Sequence, residues 1–363
     1  MKYIDEFRDI KLARQISAKI RQVAPAGKIN IMEVCGTHTM SFFRFGLDEL
    51  IAPNLKLISG PGCPVCVSPQ EYIDNAIHLS QDKSNIILTF GDMLRVPGNE
   101  STLEKERAKG AFVKTVYSAL DTLLFARQNP GKNIIFLAVG FETTAPTIAL
   151  TVLRARKEKI NNLFFYSSLK LITPAMEYLL RDKRLNISGF LCPGHVSCVT
   201  GTKVYEFIPK KYKIGCCVTG FEPLDLLEGI YFLILQIINK KPGVDNQYIR
   251  AVARDGNVKA RNTISKVFRA AGSSWRGLGT IPASGLKLRD EFSRFDAEKI
   301  FSISRRPQAA NNKLKRCKCG DVLKGLISPE GCPLFSKVCN PDRPLGPCMV
   351  SSEGACNAYY KYR

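Results

Sequence analysis

The sequence predicts an α/β protein: two similar units, each a parallel sheet covered by helices, followed by an irregular cysteine-rich segment. Three observations point there. Short apolar runs of strand length alternate with helical patterns from residue 28 to about residue 242, the pattern of parallel sheets buried on both faces. The residues able to do chemistry, Cys35, His38, Cys63, Asp92, Glu142, His195 and Glu222, each follow the carboxyl end of a predicted strand, where open α/β sheets carry their sites. Six of the thirteen cysteines, Cys317, Cys319, Cys332, Cys339, Cys348 and Cys356, crowd into the last fifty residues. That stretch is poor in large apolar side chains and needs a staple to hold a fold.

Taken in order, residues 4–22 have the spacing of an amphipathic helix. A strand at 28–34 ends in Cys35-Gly36-Thr37-His38-Thr39-Met40, and a helical pattern covers 41–50. The strand at 54–58 leads into Gly60-Pro61-Gly62-Cys63-Pro64-Val65-Cys66-Val67. Ser68, Pro69 and Glu71 predict a capped helix start at Ser68, with the positive end of its dipole close to Cys66. Residues 85–90 read as a strand ending at Gly91-Asp92-Met93, and 103–128 as mostly helical.

A second series has strands at 133–139, 162–166, 187–191 and 213–218. These end in Gly140-Phe141-Glu142-Thr143-Thr144-Ala145-Pro146, Ser167-Ser168, Cys192-Pro193-Gly194-His195-Val196-Ser197 and Gly220-Phe221-Glu222-Pro223, and a helix over 224–239 closes the series. Residues 244–271 look helical and basic, and Trp275 to Pro282 looks irregular. The expected division is an N-terminal helical segment at 1–27, α/β domains at 28–130 and 131–243, and a helical linker with the cysteine domain at 244–363.

A chain of 363 residues, 45% hydrophobic, can bury two or three cores. Its longest apolar run, 230–238, is too short to span a bilayer. The first twenty residues lack the continuous apolar centre and small-residue cleavage site of a signal peptide, so a cytoplasmic protein is expected. In that reducing compartment the cysteines are ligands or redox groups rather than structural disulfides. The net charge is +21. Its basic residues, including Arg305-Arg306 and Lys313 to Arg316, are spread along the chain without interleaved aromatics. That argues against a nucleic-acid interface and leaves an acidic protein partner as one explanation.

Cys63 and Cys66 are spaced for a small-ring disulfide or for half of a metal site. Cys35 and His38 suit a shared metal, an activated nucleophile pair, or a buried core thiol beside a bonded imidazole. His195 reads as a proton carrier or a local hydrogen-bond anchor, and His78 as structural. The loop at Glu142 lacks the Gly-Lys-Ser/Thr of a phosphate loop, so Glu142 is expected to hold a proton or face a thiol. The tail cysteines do not form the two close pairs of a zinc ribbon. Their spacing leans to an iron–sulfur cluster and leaves a four-cysteine zinc site open. Cys192, Cys198, Cys216 and Cys217 read as core.

The motifs Cys35-Gly36-Thr37-His38-Thr39, Gly60-Pro61-Gly62-Cys63-Pro64-Val65-Cys66, Gly140-Phe141-Glu142-Thr143-Thr144-Ala145-Pro146, Pro193-Gly194-His195-Val196-Ser197 and the tail from Gly346 to Cys356 occur together in one order. Over nearly the whole chain they resemble the HypD family of NiFe-hydrogenase maturation proteins. The resemblance implies a 4Fe–4S cluster on Cys317, Cys332, Cys339 and Cys356, which are separated by fourteen, six and sixteen residues. It implies Cys35 as a thiolate ligand to the iron of an Fe(CN)2CO unit, shared with the N-terminal cysteine of a HypC-type chaperone. Cyanide would come from a HypE-type partner, and the hydrogenase large subunit would receive the product. Cys63 and Cys66 become a thiol/disulfide pair in electronic contact with the cluster, and His38, Glu142 and His195 complete the expected catalytic set. The expected function is thus an assembly scaffold with redox capacity; the alternative is a stand-alone thiol–disulfide oxidoreductase carrying an iron–sulfur cluster. Family members often have a second histidine two residues after His38, where this chain has Met40, whose thioether cannot move a proton. Cys319 and Cys348 acquire no role from the resemblance.

Overall fold

A computed structural model describes residues 4–303 and 317–363. The basic runs at 305–306 and 313–316 lie outside the described residues. The described strands are β1 (Ile29–Glu33), β2 (Leu55–Ser59), β3 (Asn85–Thr89), β4 (Val113–Thr115), β5 (Asn133–Gly140), β6 (Leu163–Leu169), β7 (Gly189–Pro193), β8 (Gly215–Thr219), β9 (Val244–Asn246), β10 (Phe268–Trp275) and β11 (Gly279–Leu288).

The fold is α/β with two parallel sheets, as predicted. One sheet has the order β2-β1-β7-β8-β9 and the other β4-β3-β5-β6, every pairing parallel. The strands are not shared out sequentially, however. The chain lays down β1 and β2, crosses to build the whole second sheet, and returns to add β7, β8 and β9. The expected grouping at residues 130 and 131 therefore does not describe the sheets. Local alternation of strand and helix identifies strands, but the pairing of Ile31 with Gly189 is a long-range choice that periodicity does not encode.

Side chains alternate between faces as strand geometry requires. Ile29 and Ile31 of β1 pack outward against helices, while Met32 joins the core shared by both sheets. Ile87, Leu137 and Val139 approach that shared core from the second sheet, and Phe190, Cys192, Cys216 and Val218 from the first. Each fully buried aliphatic or Phe side chain contributes about 1.5–3 kcal/mol. This core, rather than any hydrogen bond between the sheets, holds the two units together. The N-terminal helix Ile10–Val23 packs on Pro223–Ile238, the long helix that covers β8. No helix of the described residues is long and apolar enough to cross a membrane.

Several local expectations are corrected. Residues 103–128 are two helices, Leu103–Ala108 and Asp121–Gln128, around the short edge strand β4. Only Val258–Val267 is helical within 244–271, because β9 and β10 take the ends. The stretch after Trp275 is not irregular: β10 and β11 form an antiparallel hairpin with a register shift at Ala271/Ser273. Its turn needs a left-handed residue, supplied by Gly277 at φ +76°. Trp275 is buried and its indole N–H donates to Ser284 Oγ at 2.8 Å. Lys170, also buried, donates from Nζ to Ser274 O at 2.8 Å, which ties the hairpin to β6; burial pulls its pKa to about 7.

The predicted helix cap at Ser68 is also corrected. A short helix already runs from Pro64 to Val67 with Cys63 at its N-cap, and the next helix is Gln70–Gln81. Ser68 Oγ donates backwards to Pro64 O at 3.0 Å, so it is not the cap of the second helix. The helical start therefore faces Cys63 rather than Cys66. A Cβ on Gly62 would lie 2.2 Å from Cys35 N. Gly62→Ala is expected to cost about 1–3 kcal/mol through overpacking, read as a lower urea midpoint with an unchanged slope. An unaltered midpoint would show that the loop can relax away from Cys35.

Candidate functional site

Cys35 ends β1 and is the N-cap of the helix Gly36–Arg44. Its backbone N–H donates to Glu33 Oε2 at 2.9 Å, and Thr39 Oγ1 donates to the other oxygen of Glu33. Glu33 is completely buried, and burial pushes its carboxyl up to about 7. From the opposite side comes the tail: Thr37 Oγ1 donates to Glu353 Oε1 at 2.6 Å, and a Cβ on Gly36 would lie 2.5 Å from Glu353 O. Burial first, then the charges of Glu353 and Glu33, push the Cys35 thiol up to about 12. The sulfur thus stays protonated until a cation offsets the cost of the thiolate.

His38 is fully buried. Its Nε2 is 3.0 Å from Gly220 O and 3.1 Å from Thr219 Oγ1. A carbonyl only accepts, so Nε2 carries the hydrogen and Nδ1 keeps a lone pair. Nδ1 is buried without a hydrogen-bond partner. Burial lowers the His38 pKa to about 4, so the ring is neutral at pH 7. His195 stacks one face on Phe221 with centroids 3.8 Å apart, while the rest of the ring is exposed; burial of the stacked face lowers its pKa. His38 approaches the same Phe221 at 5.0 Å. The two imidazoles thus share one aromatic neighbour, which sequence reasoning overlooked.

The Cys63 loop lies directly beside Cys35. β1 and β2 are adjacent and parallel, and Gly36 N–H donates to Gly62 O at 3.3 Å. Cys63 Sγ accepts from Cys66 N–H at 3.3 Å. Both thiols are buried. Cys66 Sγ donates to Pro347 O of the tail at 3.9 Å, and burial, with Cys348 and Cys63 as sulfur neighbours, pushes its pKa well up. Cys348 has Cys319 and Cys66 as sulfur neighbours, which pull its pKa down, and Cys317, Cys319 and Cys348 line one cavity. Cys63, Cys66, Cys348, Cys319 and Cys317 are therefore successive neighbours, a sulfur path from the loop to the tail. Sequence spacing could not reveal the two middle members, because nothing in it says that residue 348 packs on residue 66.

The tail cysteines converge. Cys317, Cys319, Cys332, Cys339, Cys348 and Cys356 all line one small cavity. Backbone N–H of Leu345 donates to Cys339 Sγ at 3.3 Å. Short helices Cys319–Leu323, Pro347–Val350 and Ala355–Tyr362 carry Cys319, Cys348 and Cys356, and the last packs on Gly36–Arg44 with Phe43 and Tyr359 rings 4.3 Å apart. Among the described residues no three Cys, His, Asp or Glu side chains already surround a single point as ligands of one ion. A cysteine-walled cavity fits a polynuclear cluster, whose sulfur ligands stand apart.

Not every predicted residue joins this site. Glu142 follows β5 of the other sheet; its Oε1 accepts from Ile172 N–H at 3.1 Å, Oε2 is buried without a partner, and burial pushes its pKa up to about 7. No hydrogen bond links it to Cys35, Cys63 or Cys66. Asp92 is exposed in the turn after β3. Glu222 is the N-cap of Pro223–Ile238, where its N–H is bonded by Asp225 and its carboxylate pairs with Arg8, so its role is architectural. His78 is exposed on its helix. Cys192, Cys216 and Cys217 are buried core as expected, with Cys198 half-buried.

A family model named HypD, described as "Hydrogenase formation hypA family", matches residues 11–363. This chain belongs to the HypD family. The hydrogenase maturation factor HypD of Cupriavidus necator is 43% identical over 372 residues, covering 100% of this chain and 97% of that protein. The hydrogenase maturation factor HypD of Azotobacter vinelandii is 43% identical over 370 residues, with 100% and 97% covered. That of Escherichia coli is 42% identical over 370 residues, with 100% and 98% covered. The similarity therefore spans both sheets, the sulfur path and the tail of this HypD-family chain.

The buried acid Glu142 makes a pH prediction. In the fold it keeps its proton up to about pH 7, against 4.5 for an ordinary Glu side chain. Between these values the folded state binds more protons than the unfolded one, so stability falls as pH rises through that window. The shift corresponds to about 3 kcal/mol at most. Glu142→Gln is expected to flatten the decline between pH 5 and 8, in urea titrations at each pH, leaving the share that buried Glu33 contributes. Equal pH slopes in variant and wild type would mean that Glu142 is ionised in the fold.

Proposed function

We propose that this protein is a hydrogenase maturation factor that serves as the scaffold on which an Fe(CN)2CO unit is assembled. Cys35 supplies a thiolate to the iron, a HypC-type chaperone supplies the second sulfur, and a HypE-type protein donates cyanide before delivery to the hydrogenase large subunit. The observation that carries this reading is the contact of Cys35's loop with Cys63's loop and of Cys66 Sγ with Pro347 O of the cysteine tail, three parts of the chain brought to one place. Low-spin ferrous iron with cyanide and CO requires a soft, electron-rich donor, and thiolate is one. Metal loading at Cys35 releases the thiol proton, because the sulfur is held protonated otherwise.

Cys317, Cys332, Cys339 and Cys356 are the residues proposed to hold a 4Fe–4S cluster. When bound, such a cluster supplies single electrons at low potential. Closing a Cys63–Cys66 disulfide releases two electrons and two protons, and the neighbouring sulfurs of Cys348 and Cys319 give a short path between that pair and the tail. His38 stays neutral and offers a lone pair at Nδ1; His195, stacked on Phe221, is the exposed member of the same group. The compartment proposed is the cytoplasm, where these thiols stay reduced. A general thiol–disulfide oxidoreductase fits less well, since Cys63 and Cys66 are 3% and 0% exposed and cannot reach a protein disulfide.

Anaerobic purification with HypC-type and HypE-type partners, followed by iron and sulfide analysis and infrared spectroscopy, tests the reading. Cys35→Ala is expected to lose the CO and cyanide bands and the extra iron while keeping the fold and the cluster absorption. Cys339→Ala is expected to bleach the cluster absorption and loosen the tail. Retention of the infrared bands by Cys35→Ala would overturn the assignment of the iron ligand.

A further inference from the structure

A hollow of about 870 Å³ opens at the β9 edge of the first sheet. Lys210, Lys213, Lys240 and Arg254 line it, and among the described residues Glu206 is the one carboxylate in its wall. Glu206 accepts from Arg254 Nη2 at 2.9 Å and from Lys210 Nζ at 3.3 Å. Lys213 and Lys240 are exposed and pair with no carboxylate among the described residues. Pro209, Pro242 and Val244 give the same hollow an apolar side. It stands apart from the cysteine site: Lys213 precedes β8, whereas Cys35 and His195 follow the carboxyl ends of β1 and β7 in the same parallel sheet.

Lys210 lies in the last turn of the helix Phe207–Tyr212, and Lys240 lies just beyond the helix Pro223–Ile238. Cations there complement the helix dipole, which accounts for each of these two singly. It does not account for the backbone. Lys213 and Lys240 are both left-handed, at φ +58° and +50°, where glycine or asparagine is the usual choice at a helix end. Lysine kept at two such positions beside one cavity marks a place where charge outweighs conformational ease.

Size and lining select the ligand. The volume falls within the about 300–1,000 Å³ of small-molecule sites, more than an inorganic ion fills. Four cations against one carboxylate call for more than one negative charge, and ammonium groups serve phosphate as point charges. The apolar side calls for an organic body. We propose that this hollow is a binding site for an organic diphosphate, with its phosphates held by Lys213 and Lys240 and its body lying on Pro209, Pro242 and Val244. The site is independent of the scaffold reading given above.

The test is calorimetric titration of the full chain, prepared anaerobically at low ionic strength without phosphate buffer, with ADP, inorganic pyrophosphate and hexaglutamate as probes. ADP is expected to bind at one site, and pyrophosphate, which lacks the organic body, more weakly. Lys213→Gly and Lys240→Gly are each expected to weaken ADP binding about tenfold, the loss of one hydrogen bond to a charged group. Both variants keep or raise the urea midpoint, because glycine suits the left-handed backbone. Lys56→Ala, which removes the same charge from β2 at the far edge of the sheet, leaves binding unchanged. No saturable binding of ADP at about 1 mM would overturn the proposal. So would equal weakening by Lys56→Ala and Lys213→Gly, which would show general charge attraction, or tighter binding of hexaglutamate than of ADP, which would make the hollow a surface for acidic peptides.

Discussion

The arrangement depends on backbone lying against backbone at the carboxyl ends of β1 and β2. Gly62 meets Cys35 N, and Gly36 meets the carbonyl of Glu353, each at a separation that leaves no room for a Cβ. These contacts bring the Cys35 loop, the Cys63 loop and the tail into one body. Protein interiors are packed too tightly to absorb an added methyl at such a place without movement. Side-chain chemistry at the site is therefore referenced to a rigid frame of peptide groups, not to flexible arms.

Burial then decides the charge state of everything inside that frame. Glu33 and Glu142 are pushed up to about 7, Cys35 up to about 12, and His38 down to about 4. Each shift has desolvation as its largest cause, and each favours the neutral form. A site built this way resists free thiolate and free carboxylate, and it becomes receptive when a cation arrives. Arg276 is the exception: a permanent charge bonded to Ser68 O and Gln70 Oε1, with Nη2 buried without a partner.

The interleaved topology explains how distant segments come to share a site. Because the chain leaves the first sheet after β2 and returns at β7, His195 and Phe221 follow strands of the same sheet as Cys35 and Cys63. Glu142, which follows β5, belongs to the other sheet. Seven residues following strand ends looked equivalent in the sequence; sheet membership and burial separate them. Asp92 and Glu222 obeyed the strand-end rule and proved exposed or architectural.

The sequence by itself determined the class of fold, the family and the identity of most chemical groups. Strand and helix periods are local, and motifs such as Cys35-Gly36-Thr37-His38 and Cys63-Pro64-Val65-Cys66 are contiguous. Even local signals failed where a competing hydrogen bond existed, as at Ser68, or where a strand was too short to show a period, as at Val113–Thr115. Only the tertiary structure decided which strands are neighbours, that Cys66 meets the tail at Pro347, that the six tail cysteines share one cavity, and that Glu33 and Glu353 flank the Cys35 loop. The reason is physical: these are contacts between residues far apart along the chain, selected by the packing of a shared core, and a linear pattern carries no record of distance in space.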